Sequence, residues 1–209
     1  MDMALYLDSA LPEEARRAAA LGFVAGITTN PALIAQAGRP REELVAELCR
    51  AVRGPVFVQL VSAEDSEAEA EGRALHALSP SQVHLKVPCT LEGLRLIARL
   101  SAQIPCAATA VYSPAQAWLA AQAGARYAIP YVNRATRLLG DGLALVRGMA
   151  GVLAGTPAAI LAASIKTPEE AAATLAAGAQ HLTLPLGVIE AMAEHPLTRQ
   201  AIEEFAKYG

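Results

Sequence analysis

Residues 82–88 read QVHLKVP. This is a short apolar run of strand type, with Lys86 near its end. A lysine inside an apolar strand is costly unless it is paired, neutral or functional. The chain is also sparing with lysine: of 17 basic residues only Lys86, Lys166 and Lys207 are lysines, and the rest are arginines. Strand parity puts Lys86 on the same face as His84, with His84 one layer below. Whether this strand belongs to a closed barrel or an open sheet depends on what surrounds it.

Outward from it, short apolar runs alternate with alanine-rich helical stretches. Towards the N-terminus the strands are ALYLD (4–8), VAGITT (24–29) and PVFVQLVS (55–62). Helices are predicted over 12–22, from Pro31, over 41–53 and over 63–78, with Pro12 in a first turn and acids preceding arginines. Towards the C-terminus the strands are PCAATAV (105–111), RYAIPYV (126–132), AAILAAS (158–164) and HLTLP (181–185). Pro130 implies a bulge or a strand end. Helices are predicted over 91–102, 114–124, 141–154, 167–177, 186–194 and 197–207. Eight βα units at about one per 26 residues suit a single (β/α)8 TIM barrel over 1–209 with an extra C-terminal helix. An open doubly wound sheet would carry a glycine-rich turn after its first strand, and LDSALPEE has none.

Composition narrows the function classes. Apolar residues make up 54% and the net charge is −3, so a large core is available and nucleic acid is an unsuitable partner. No apolar run reaches the roughly 18 residues of a membrane span, and MDMALYLD has no charged-then-apolar signal pattern. Cys49, Cys89 and Cys106 are odd in number and lack C-x-x-C spacing, which predicts free thiols, a reducing compartment and a cytoplasmic enzyme. His76, His181 and His195 show no metal-ligand spacing.

In a barrel the active site lies at the C-terminal strand ends. Seven consecutive strands deliver polar groups there: Asp8; Thr28 with Asn30; Gln59; Lys86; Thr109; Tyr131 with Arg134; Ser164 with Lys166. Parity pairs Asp8 with Tyr6, Gln59 with Phe57 and Val61, Thr109 with Ala107 and Val111, Tyr131 with Ile129, and Ser164 with Ala162. Inward alanines below Thr109 and Ser164 predict a cavity above them. Read singly, each has a plainer role. Lys86 can snorkel, Asp8 can cap the next helix, and Asn30-Pro31 and Lys166-Thr167-Pro168 are helix starts. Gln59, Tyr131 and His84 suit a core, and Arg134 a surface. The convergence favours function. A desolvated lysine amine is neutral enough to attack a ketone, and the resulting iminium lets a neighbouring carbon–carbon bond break or form. Asp8, and a water held by Gln59, Thr109 and Tyr131, suit the proton transfers. Arg134, Ser164 and Lys166 suit a phosphate.

GITTNP (26–31), HLKVP (84–88), ATAVYS (108–113), IPYVNR (129–134), AASIKTP (162–168) and TLPLGV (183–188) resemble the small transaldolase and fructose-6-phosphate aldolase family, in register from about Leu5 to Phe205. The resemblance implies a class I aldolase with no metal and no organic cofactor. It implies that Lys86 is the Schiff-base lysine and Asp8 the acid/base. Thr28 and Asn30 then line the dihydroxyacetone part of the site, Thr109 holds the catalytic water, and Arg134, Ser164 and Lys166 bind phosphate. Gln59 and Tyr131, where transaldolases have Glu and Phe, resemble the aldolase branch, which cleaves fructose 6-phosphate to dihydroxyacetone and glyceraldehyde 3-phosphate. The alternatives are a transaldolase passing the same unit between sugar phosphates, a silent sugar-phosphate-binding barrel, and another phosphate-binding barrel enzyme such as an isomerase. Ile129 replaces a small residue of the family and is expected to crowd the ketone end. His84 stands where an aliphatic residue is expected. The family's pentamer or decamer implies a homo-oligomer, although Gly209 ends the chain short of the tail many members use to clasp a neighbour.

Overall fold

A computed structural model describes residues 3–62 and 64–208. The first half runs β1 (Ala4–Asp8), α1 (Pro12–Ala20), β2 (Val24–Thr28), α2 (Pro31–Gln36), α3 (Arg41–Ala51), β3 (Val56–Gln59), α4 (Asp65–Ala77), β4 (Val83–Pro88) and α5 (Leu91–Leu100). The second runs β5 (Cys106–Val111), α6 (Pro114–Gln122), β6 (Tyr127–Pro130), α7 (Val132–Leu139), α8 (Gly142–Leu153), β7 (Ala159–Ala162), α9 (Pro168–Ala176), β8 (His181–Leu184), α10 (Leu186–Met192) and α11 (Pro196–Phe205). A 3-10 turn, Ala206–Tyr208, follows. The expected start of α4 at Ala63 lies outside the described residues.

The eight strands close as β1 to β8 in chain order, all parallel, with β8 returning to β1. Strand alternation produces two cores. Val83, Leu85 and Val87 of β4 face the helices, as do Val56, Val58, Leu182 and Leu184 on their own strands. The interior holds Tyr6, Phe57, Ala107, Ile129, Leu161 and Ala163. His84 belongs to this interior. Its ring lies edge-on to Phe57 at 4.9 Å, and Phe57 in turn meets Tyr6 at 5.5 Å and Tyr127 at 5.3 Å. Tyr127 also packs on His181 at 5.5 Å. The lower barrel is thus filled by edge-to-face rings, each pair adding about 0.5–1.5 kcal/mol beyond its area. Burial lowers the His84 pKa to about 4, so the ring is neutral at pH 7.

The register sets the rim. Asp8 lies beside Thr28, Gln59 beside Lys86, and Pro88 beside Thr109. Side-chain caps start the helices that follow: Asn30 on α2, Thr90 on α5, Ser113 on α6, Asp141 on α8 and Thr167 on α9. Gly93 in the first turn of α5 lets that helix reach β4, because a Cβ there would lie 2.0 Å from the Pro88 carbonyl oxygen.

Three expectations are corrected. The predicted strand 126–132 ends at Pro130, which has no N–H to continue the ladder, and a helix not foreseen, α7, begins immediately after Tyr131. Val111 does not share the inward face of Thr109: Ala110, at φ 57°, shifts the register and turns Val111 towards the helices. In β7 Leu161 faces inward, as does Ala163 just beyond it, and Ala162 faces the helices. Ser164 reaches the rim through a left-handed backbone, φ 59°, instead of through strand alternation.

Candidate active site

The Lys86 side chain is 3% exposed at the C-terminal end of β4. Its Nζ donates to the Thr29 carbonyl oxygen at 2.7 Å. Burial lowers its pKa from 10.5 to about 8, against the opposing pull of Asp8. Near neutral pH a far larger share of the amine is therefore neutral than for an exposed lysine. This is an amine able to attack a ketone.

Asp8 is partly buried across from it. Desolvation raises its pKa, while Lys86, the Thr28 hydrogen bond and Lys166 each lower it. Thr28 donates to Asp8 Oδ1 at 3.0 Å. Asp8 does not cap α1: the cap residue of that helix is Leu11, which has no side-chain bond. The turn is held instead by Ser9, whose hydroxyl accepts from Leu11 N at 3.1 Å and donates to Glu14 at 2.5 Å. The Asp8 carboxylate is thereby left facing the cavity.

Asp8, Asn30, Gln59, Lys86, Tyr131, Arg134, Ser164 and Lys166 line one cavity of about 740 Å³ at the rim. Eight of the ten expected residues thus meet around a single space. Thr28 and Thr109 do not line it. Both are fully buried one step behind, Thr28 on Asp8 and Thr109 on the Tyr131 hydroxyl at 2.9 Å. The Gln59 Oε1 atom is buried with no hydrogen-bond partner among the described residues. Ile129 is fully buried in the interior beside Thr109 and is not among the residues lining the cavity. The crowding of the ketone end expected of Ile129 does not arise from direct contact with the cavity. Asn30 is both a cap and a lining residue: its Oδ1 accepts from Leu33 N at 3.0 Å.

The family model for transaldolase/fructose-6-phosphate aldolase matches residues 5–208. The chain belongs to the transaldolase/fructose-6-phosphate aldolase family. It is 39% identical over 206 residues to a probable transaldolase of Listeria monocytogenes, with 97% of this chain and 96% of that protein covered. A probable transaldolase of Symbiobacterium thermophilum is 38% identical, at 98% and 96% coverage, and one of Desulforudis audaxviator 40%, at 97% and 95%. Among solved structures, a variant mandelate oxidase crystallised with 4-Br-2-hydroxy-methylphenylacetate superposes with a TM-score of 0.62 at 16% identity, covering 90% of this chain and 65% of that one. That likeness concerns the barrel alone. The chain is an enzyme of the transaldolase/aldolase type.

Within the family framework, the rim between β6 and β7 is built from α7. Its first amides, Val132 N and Asn133 N, donate to the Ala163 and Ser164 carbonyls at 2.9 Å each. Arg134, one residue on, then covers the Tyr131 ring, with its guanidinium carbon 5.1 Å from the ring centre. Glu170 ties the next loop down by accepting from Lys166 N at 2.7 Å and Asn133 Nδ2 at 3.2 Å. Arg134, Ser164 and Lys166 are therefore gathered on one side of the cavity, opposite Asn30 and Gln59.

Sequence reasoning missed Thr29, whose carbonyl receives Lys86, and Thr183. No residue type signals a carbonyl. Thr183 was open to detection, since HLTLP alternates and parity puts His181 and Thr183 inward. Among the described residues no group of three or more His, Cys, Asp or Glu is placed to hold a metal ion. No described helix is long and apolar enough to cross a membrane. Cys49, Cys89 and Cys106 are free and buried.

Proposed function

We propose that the enzyme cleaves fructose 6-phosphate reversibly to dihydroxyacetone and glyceraldehyde 3-phosphate through a Schiff base on Lys86. The observation that carries the mechanism is the buried Lys86 amine, brought to a pKa of about 8, in one cavity with Asp8. Neutral Lys86 adds to the C2 ketone, and loss of water leaves an iminium. Asp8 takes the proton of the C4 hydroxyl as the C3–C4 bond breaks, and the electron pair passes to the iminium nitrogen to give an enamine. Glyceraldehyde 3-phosphate leaves. Its phosphate sits against Arg134, Ser164 and Lys166, and Asn30 meets the dihydroxyacetone end. The enamine regains a proton at C3, and a water held by Gln59 and by the Tyr131 hydroxyl, which Thr109 orients from behind, releases dihydroxyacetone from Lys86.

The branch rests on the hydroxyl of Tyr131, paired with Thr109, and on the neutral amide of Gln59. A phenylalanine and a glutamate at these places hold water differently. The transfer reading is favoured by the names of the relatives, all probable transaldolases. In that reading the enamine waits for an aldose phosphate. Glyceraldehyde 3-phosphate release, measured with and without erythrose 4-phosphate, separates them: the expected result is release without the acceptor, and release wholly dependent on it overturns the preference. Tyr131→Phe should move the balance towards transfer by several-fold, and an unchanged ratio would remove Tyr131 as the determinant.

We also assign the chain to a homo-oligomer in the cytoplasm. Helix α11 carries Leu197, Ile202 and Phe205 exposed, with Tyr208 beyond it, a face suited to a second copy. Three free buried thiols suit a reducing compartment.

A further inference from the structure

Thr183 sits mid-strand on β8, two positions before the rim, and is 1% exposed. Its Oγ1 lies 2.6 Å from Oγ1 of Thr28, itself fully buried on β2. The two strands flank β1, so the hydroxyls meet beneath Asp8 from opposite sides. Thr28 has a single hydroxyl hydrogen and gives it to Asp8 Oδ1. The short contact to Thr183 is then satisfied in one way only: Thr183 donates and Thr28 accepts. Direction thus runs from β8 through β2 to the carboxylate of β1.

We propose that Thr183 is a positioning residue for catalysis, the outer donor of a two-hydroxyl chain that orients the Thr28 proton onto Asp8. A hydroxyl that accepts a hydrogen bond becomes a better donor, so Thr183 strengthens the bond that Thr28 makes to the ionised carboxylate. When Asp8 takes up a proton on the oxygen facing Thr28, the chain reverses: Asp8 donates to Thr28, and Thr28 to Thr183. The reversed chain makes only neutral hydrogen bonds, weaker than the one Thr28 gives the ionised carboxylate, so the two hydroxyls favour the ionised state. A valine at position 183 would fill the same space and leave Thr28 with a lone pair unmet in a dry interior.

The other charged and titratable groups around the same cavity are Lys86 from β4, Tyr131 and Arg134 at the start of α7, Lys166 after β7 and Glu14 from α1. They act on Asp8 in every variant alike. The inference rests on Asp8 being the acid/base of the proposed function, and the experiment keeps the two apart.

Full-length wild type, Thr183→Val, Thr183→Ser and Asp8→Asn are compared by glyceraldehyde 3-phosphate release from fructose 6-phosphate with erythrose 4-phosphate present, so that either branch turns over. Because Thr183 favours the ionised carboxylate, its loss raises the pH at which Asp8 becomes a base. Thr183→Val should lower kcat by roughly fivefold with KM little changed, and move the acid limb of the kcat profile to higher pH. Thr183→Ser should restore both. An unmoved limb in Thr183→Val overturns the proposal. So does a serine variant as slow as the valine one, which would assign the effect to packing of the methyl group. Should Thr183→Val not fold, Thr183→Ala is read by the same criteria. Full activity in Asp8→Asn would instead sink the acid/base reading beneath it.

Discussion

At Lys86 desolvation outweighs the attraction of Asp8, which is why the amine settles near pKa 8 instead of above 10. Holding it protonated in the fold at pH 7 costs roughly 3 kcal/mol, against about 1 kcal/mol for the bond to Thr29. Lys86→Met should therefore abolish borohydride trapping with fructose 6-phosphate and yet melt roughly 4–8 °C above wild type at pH 7. Between pH about 8 and 10.5 the unfolded chain holds a proton that the folded amine has lost, so wild-type stability rises with pH in that window. The gap to the methionine variant should narrow there. A variant that melts below wild type at pH 7 would mean that the amine is stabilised by its partners. A rare lysine in an apolar strand only raised the question of Lys86; the polar residues on the neighbouring strand ends made it the candidate reactive amine. His84, equally conspicuous, had no explanation from its own strand. Its ring contacts lie on β3 and β6, in Phe57 and Tyr127, which no local pattern connects to it.

Elements place these residues, and contacts between elements decide how firmly. The strand carrying Lys86 is held by α5 at Gly93, where a Cβ would lie 2.0 Å from the Pro88 carbonyl oxygen and 3.2 Å from Val87 Cγ1. Alanine favours a helix over glycine by about 1 kcal/mol, but a clash with backbone costs more. Gly93→Ala should lose about 1–2 kcal/mol in denaturant unfolding. Gly151→Ala on α8, with open space around it, should gain up to about 1 kcal/mol. Equal effects at the two sites would discard the close-approach account. Elements were also where sequence reasoning stopped short. VNRATRLL lacks a helix-start signal, since its N-cap is Tyr131 with no side-chain bond. The inward face of β7 was misassigned because a left-handed serine carries no mark in sequence.

For the whole molecule, closure of eight parallel strands leaves no edge, and that confines the strands' own unpaired backbone groups to the two rims. The C-terminal rim holds the cavity. Helix α11 lies outside this arrangement, with Leu197, Ile202 and Phe205 in solvent. Removing residues 196–208 should lower the mass measured by light scattering to that of a smaller assembly, while each barrel keeps its fold by circular dichroism. An unchanged mass would take α11 out of the interface.

The sequence by itself determined the barrel, because periodicity of apolar residues is a local property repeated eight times. It also determined which polar residues end the strands, and Lys86 as the amine most worth asking about. Tertiary structure alone decided what each of them does to the next. The lowered pKa of Lys86 and the raised pKa of Asp8 come from burial by the entire interior. Thr28 and Thr109 stand behind the cavity wall because strands far apart in sequence close over them. Thr183 joined the site only when β8 came round to β1 and brought its hydroxyl to Thr28, 155 residues away along the chain.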